Sequence, residues 1–376
     1  MTTQPPVLRY GIAGYGLMGA EHARNLTLLG EHGLRVRVTA VADPRPESRL
    51  RARRHLGEEI ALYEAAGELA AAGELDAVVI ASPNHTHGAV LEKLWGHRLH
   101  LLVEKPLCTT NEDCERVRER AQDHPGLVWV GMEYRYMAPV ARLIEEVRGG
   151  SVGRPVMVAI REHRFPFLPK IGDWNRFNDN TGGTLVEKCC HFFDLMVQIV
   201  GKRPLRVFAS GAQDVNHLDE RYDGRVPDIL DNAFVVVDFE DGVRGLLDLC
   251  MFAEASEHEQ EIVVTGDRGK VECFLPQSLV RVGRRDLAAA EPSDSEPRRM
   301  RSDLVEEVVI PVEADLLSAG HHHGSTYWQH RHFADAIRGE REVAVSVRDG
   351  ALAVAIGVAA HRSIDEGRPI ELDDRS

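Results

Sequence analysis

The 376-residue sequence carries 45 basic and 59 acidic side chains, and its net charge of −14, with no local basic patch to offset it, argues against a nucleic-acid partner. At 43% hydrophobic and 28% charged residues it has the composition of a globular chain, and no apolar run is long enough to span a bilayer, so a membrane role is not expected. The length exceeds one ordinary core and fits two domains.

The amino terminus enters an apolar run almost at once and has no signal core, so a cytoplasmic location is expected. From residue 7 to about 150, the runs VLRYGIAG, VRVTAVAD, LDAVVIAS, HLLVEKP and LVWVGME are strand candidates separated by helical patterns. That alternation predicts an α/β, Rossmann-type domain over residues 1–150, with a parallel sheet between helices. The arginine-rich stretch 49–54 falls on an expected helix and reads as a solvated face.

The first strand runs into Gly14-Tyr15-Gly16-Leu17-Met18-Gly19, and Asp43 follows 24 residues after Gly19 at the end of the next strand. In that setting the first glycine permits a tight turn, the second lets a pyrophosphate approach the backbone, and the third lets helix and strand pack closely. The anion would sit at the helix amino terminus, where Leu17 and Met18 begin it. The alternative is a tight turn with no ligand. Asp43 is placed to accept from ribose hydroxyls and would repel a 2′-phosphate, which favours NAD; Arg45 and Arg49 nearby leave NADP open.

The third predicted strand ends in Ser82-Pro83-Asn84-His85-Thr86-His87 and the fourth in Glu104-Lys105-Pro106, both on the carboxyl edge where such sheets bind ligands. Ser82, Pro83, Asn84, His87, Glu104 and Lys105 are therefore candidate cofactor contacts, although His85 and His87 also suit a plain loop cap. Lys105 has few reasons to point inward except to meet a charged or polar ligand.

After Gly149-Gly150 the texture changes to closely spaced period-two runs with turn signals at Asp241-Gly242 and Asp267-Arg268-Gly269. Residues 151–376 should form an α+β domain on a large, mostly antiparallel open sheet. Its outer face should associate with another copy, giving a homodimer or homotetramer. Residues 284–302 read as a polar surface loop. Helices near 326–338 and 349–366 and a strand at 369–372 should close the fold back on the first domain. The six cysteines include no CxxC pair and predict reduced, mostly buried thiols.

The segment GGTLVEKCCHFFDLM, from Gly182 to Met196, is the most informative. On one continuous helix Glu187, His191, Asp194 and Gln198 share a single polar stripe on an otherwise apolar surface. A carboxylate and an imidazole buried there must pair with each other or face a site.

These four motifs, GxGxxG, Pro83-Asn84-His85, Glu104-Lys105-Pro106 and GGxxxExxxHxxD, resemble in order and spacing the Gfo/Idh/MocA oxidoreductases, the family of glucose-fructose oxidoreductase and inositol dehydrogenase. The resemblance implies hydride transfer between a nicotinamide and a carbinol carbon of a sugar or cyclitol. Lys105 and His191 would act on the substrate, and Glu187 stands where the family usually has aspartate. His191 suits proton removal because its ordinary pKa is close to working pH, and Lys105 would stabilise the developing alkoxide. Tyr134, Arg135, Asp173, Asn175, Asp194 and His322 are further candidate substrate contacts. The run His321-His322-His323 reads as a substrate-facing loop rather than a metal site, because three neighbours cannot share one metal without distortion. Two other functions stay open: a relative that cleaves a glycosidic bond through transient oxidation, and a sugar or dinucleotide sensor, against which the presence of both Lys105 and His191 argues.

Overall fold

In the computed structural model, which describes residues 5–285 and 304–373, the parallel sheet consists of β1 (Leu8–Ala13), β2 (Val36–Ala42), β3 (Ala61–Tyr63), β4 (Ala77–Ile80), β5 (His100–Glu104) and β6 (Val128–Gly131). Their order is β3-β2-β1-β4-β5-β6, with every pairing parallel. Helices α1 (Leu17–Glu31), α2 (Pro46–Leu56), α3 (Ala66–Ala71), α4 (His87–Glu92) and α5 (Asn111–Gln122) connect the strands. Val78, Val79, Leu101 and Leu102 are buried, as expected where helices cover both faces. The order reverses between β1 and β4, which opens a crevice at their carboxyl ends. β3 has three residues, too few to show periodicity, and it escapes the sequence reading.

The second sheet is built from β7 (Pro155–His163), β8 (Pro204–Ala212), β9 (Asn232–Phe239), β10 (Arg244–Cys250), β11 (Gln260–Gly266), β12 (Gly269–Leu275), β13 (Leu279–Arg284), β14 (Val305–Val309) and β15 (Ile370–Glu371). They run in the order β14-β13-β12-β11-β7-β10-β9-β8-β15, and only the central β7–β10 pair is parallel. Alternation decides its faces: Val158, Ile160, Val207, Val235, Val237, Leu247 and Leu249 point into the core. Helices α6 (Ala138–Arg148), α7 (Asn178–Thr181), α8 (Thr184–Glu187) and α9 (Cys190–Val200) follow β6 and β7.

After β14 come α10 (Ala314–Ser318), α11 (Ser325–Ile337) and α12 (Val347–Glu366). α12 joins the two halves: Ala353 and Val354 enter the core under the parallel sheet, and Ile356, Ala359 and Ala360 enter the other. The polar stretch expected as a loop, 284–302, lies outside the described residues beyond Arg285. All six cysteines are free, and five are buried. Among the described residues no helix is long and apolar enough to cross a membrane.

Candidate active site

The glycine turn joins β1 to α1. Gly14 has φ +95°, and a Cβ there would lie 2.7 Å from the Ala81 carbonyl; one at Gly19 would lie 2.0 Å from the Gly14 carbonyl. At Gly16 it would meet nothing within 4 Å, so no protein packing requires that glycine. The start of α1 has no side-chain cap and no acidic residue, which leaves its first N–H groups for an anion. Asp43 is buried and held by the Tyr15 N–H at 2.8 Å and the Arg45 N–H at 2.9 Å. Arg49 donates to the Asp43 carbonyl at 2.7 Å and pairs with Glu64 at 2.8 Å, so its guanidinium is already engaged. The arginine run is not simply a solvated face, since Arg51 bonds the Tyr15 carbonyl in the glycine turn.

At the end of β4, Asn84 is buried with its Nδ2 unpartnered. The His87 ring, its pKa lowered by burial against the pull of two carbonyls, lies between Pro106 O at 2.8 Å and Ser82 O at 3.0 Å. It ties the β4 end to the β5 end and positions both. Glu104 is buried as well, accepting from His22 Nε2 at 2.9 Å, while His22 Nδ1 lies 2.8 Å from His330 Nε2.

Two departures concern the 182–196 segment. The expected continuous helix is broken into α8 and α9, starting from Gly182 and Gly183, whose φ values are +78° and +85°. The break leaves the Glu187 carbonyl to accept from Lys105 Nζ at 3.1 Å. It also leaves Glu187 and His191 unpaired with each other. Glu187 Oε1 lies 3.7 Å from Lys170 Nζ and its Oε2 has no partner, whereas the carboxylate beside His191 Nε2 is Glu133, at 3.6 Å.

His191 is 2% exposed, and the Tyr134 ring stacks flat on it at 3.9 Å and 4°. The Tyr134 hydroxyl accepts from Lys188 Nζ at 2.7 Å, and Lys188 pairs with Glu162 at 2.7 Å, so Tyr134 serves as a fixed platform for the imidazole. Burial, then the positive charges of Lys105, Lys188, His322 and Arg164, hold the His191 pKa well below its ordinary value. For Lys105 burial works toward a lower pKa, but Cys190, Glu187, Glu133 and Glu104 around it raise the value overall. A half-buried cation and a neutral, buried imidazole thus share the site.

Of the remaining candidates, Arg135 and Asp194 bond each other through two side-chain contacts, both buried. Asn175 is buried, donating to the Leu168 carbonyl at 3.1 Å with its Oδ1 unpartnered. Asp173 is half-buried in the same loop. His322 faces inward, with Nδ1 2.6 Å from Glu21 Oε1 and Nε2 3.8 Å from Glu133 Oε1. Among the described residues no group of three His, Cys, Asp or Glu side chains is placed to hold a metal. Glu133, Lys170, Lys188, Glu21 and His22 were missed as site residues. Glu133 stood inside GMEYRY, where a charge between apolar neighbours was the available signal; Lys188, a second charge on an apolar helix, was another.

Residues 8–132 match the family profile described as "Oxidoreductase family, NAD-binding Rossmann fold", and residues 144–372 match "Oxidoreductase family, C-terminal alpha/beta domain". The chain is 27% identical over 374 residues to myo-inositol 2-dehydrogenase of Thermotoga maritima, covering 98% of this chain and 99% of that one. It is 23% identical over 368 residues to scyllo-inositol 2-dehydrogenase (NAD(+)) of Bacillus subtilis, covering 97% and 96%. Its fold superposes on levoglucosan dehydrogenase in complex with NADH and levoglucosan with a TM-score of 0.81 at 18% identity, covering 98% and 100%.

Proposed function

The chain belongs to the Gfo/Idh/MocA oxidoreductase family, whose two profiles span most of it, and from that premise we propose that it is an NAD-dependent dehydrogenase oxidising a carbinol carbon of a sugar, sugar derivative or inositol-like cyclitol. The observation that carries the reading is the meeting of a half-buried cation and a neutral buried imidazole at the carboxyl end of β5, with the Lys105 ammonium on the Glu187 carbonyl and His191 four residues further along. A polyol suits the surroundings. Glu187 and Asn175 each present a buried oxygen with no protein partner, which substrate hydroxyls would satisfy as donors.

The glycine turn fits a dinucleotide, because the space beside Gly16 and the uncapped start of α1 suit a pyrophosphate. Gly14, Gly16, Leu17, Met18 and Gly19 would hold it, Asp43 and Arg45 the adenosine ribose, and Ser82, Pro83, Asn84 and Glu104 the part nearer the chemistry. When bound, NAD supplies the hydride acceptor. His191 takes the hydroxyl proton, and Lys105 stabilises the negative charge left on oxygen, which in a dry site contributes several kcal/mol. Glu187 accepts a neighbouring hydroxyl, and Tyr134 holds the imidazole plane.

The outer face of the second sheet supports a homo-oligomer. Met157, Phe208, Phe234 and Leu246 stand out from neighbouring strands there, with Phe234 60% exposed. A homodimer or homotetramer is expected, and light scattering at micromolar concentration giving a mass near the 41.8 kDa monomer would contradict it.

The function is tested by following NADH absorbance with inositols, aldoses, anhydrosugars and glycosides, with NAD and NADP compared. Net NADH with a matching amount of ketone is expected from a polyol. Glycoside cleavage without NADH accumulation would replace the dehydrogenase reading, and failure with every polyol by a chain that binds NADH would end it.

A further inference from the structure

Glu133 follows the end of β6 with its side chain 1% exposed, and neither of its oxygens has a hydrogen-bond partner among the described residues. A carboxylate buried without partners is destabilising, so folding alone does not account for it. Its Oε1 faces two imidazoles, His191 Nε2 at 3.6 Å from α9 and His322 Nε2 at 3.8 Å from the loop before α11. Both gaps are a few tenths of an ångström longer than a hydrogen bond, so proton transfer across them requires a small side-chain rotation. Behind His322 stands Glu21 of α1, which accepts from Thr326 Oγ1 at 2.9 Å and the His321 N–H at 3.2 Å. The row His191, Glu133, His322, Glu21 thus crosses the site, and the 20% exposed His322 is its way out to solvent.

We propose that Glu133 is a second proton acceptor behind His191: it takes the hydroxyl proton from the imidazolium and passes it to His322 at the rim once His322 has released its own Nε2 proton to solvent. The proposal rests on the reading of His191 as the base. In the relay step the N–H bond at His191 Nε2 breaks, its electron pair stays on nitrogen, and an O–H bond forms at Glu133 Oε1. No electrons are exchanged, and an imidazolium-carboxylate pair becomes a neutral pair.

The charge pattern favours this direction. Lys105, Lys188, His322 and Arg164 all oppose a positive charge on His191. The groups acting on Glu133 are Lys105 and Glu104 from β5, Cys190 and His191 from α9, and His322 from the loop. Burial, and after it Glu104, push the Glu133 carboxyl up to about 7 against His322 and Lys105, so it exchanges protons near working pH. Glu133 acts through His191 and is a positioning and relay residue.

Glu133→Gln keeps the shape and a hydrogen-bonding oxygen but removes the group that can take up the proton. Turnover should fall roughly 10- to 10²-fold, less than for loss of the base itself, with KM and NADH affinity nearly unchanged. The pH profile should lose its inflection near 7, and the solvent deuterium effect on kcat should rise. A second readout needs no turnover: in the wild-type protein, NMR signals of the His191 ring should shift with a midpoint near pH 7, and in Glu133→Gln they should not. If no polyol is oxidised, the proposed function fails while the ring titration still decides the relay. An unchanged pH profile, or ring signals indifferent to Glu133 titration in the wild type, would overturn the proposal.

Discussion

Helix α9 carries two buried polar groups that the fold treats in opposite ways. Asp194 is answered: Arg135 bonds both of its oxygens, donates to the Ala344 carbonyl at 2.6 Å and lies 3.7 Å from Asp349. His191, three residues earlier, has an unpartnered Nδ1 and faces a carboxylate that is itself unpartnered. Burial is alike, at 2% exposure for each, so burial does not distinguish them. Satisfaction does. The closed pair joins helix, β6 end and the approach to α12, whereas the open group stores polar capacity for something that arrives.

Four sets of measurements break or sharpen that contrast. The largest effect lies at the cradle, which feeds the open site without touching either group. Gly16→Val should abolish dinucleotide binding in a folded protein, since its side chain would enter the space meant for the pyrophosphate. Calorimetric titration with NADH on a variant of unchanged circular dichroism checks this, and retained affinity would remove the cradle from the account.

Next comes the open group. His191→Ala should lower turnover roughly 10²–10⁴-fold with NADH affinity and thermal stability nearly unchanged, and Lys105→Ala should be at least as damaging. Near-normal turnover in both, on any accepted polyol, would mean that the active site lies elsewhere.

The closed pair should behave in the reverse way. Asp194→Ala leaves the Arg135 charge buried and should destabilise the fold by about 3–5 kcal/mol in urea unfolding, with little change in turnover per folded molecule. A stable variant with lost activity would move Asp194 to the substrate side.

The smallest effect compares two carboxylates of the same row by pH. Glu21 is held down to about 2: burial opposes this, but the His322 hydrogen bond and charge outweigh it, so its contribution is present above the ordinary carboxyl value of 4.5 and lost as pH falls toward 2. Glu133 is raised from 4.5 to about 7, so the folded state holds the proton more tightly and stability falls as pH rises through that window, by on the order of 3 kcal/mol. Urea titrations from pH 4.5 to 7 should show the decline in the wild type and a flatter curve in Glu133→Gln. Equal slopes would mean that Glu133 is not the raised group.

Local chemistry made much of this legible. The strand-turn-helix with Gly14, Gly16 and Gly19 is a contiguous device whose spacing states its geometry, and the alternation in β7 to β13 states which face is buried. Lys105 and His191 were legible because each is a charge or imidazole in an apolar context. The Glu187–His191 stripe was not, because it assumed one unbroken helix. Helical spacing predicts neighbours only while the helix lasts, and here it breaks between them.

The sequence by itself determined the two sheet types and the glycine turn of an NAD-binding domain, and it singled out Lys105 and His191, since each follows from periodicity or from a short motif. Only the tertiary structure decided which carboxylate meets which imidazole. Glu133 reaches His191 across 58 positions and His322 across 189, and Glu21 reaches His322 across 301. Such pairings depend on how β6, α9, α1 and the loop before α11 pack together, and no local pattern encodes a contact between segments that far apart.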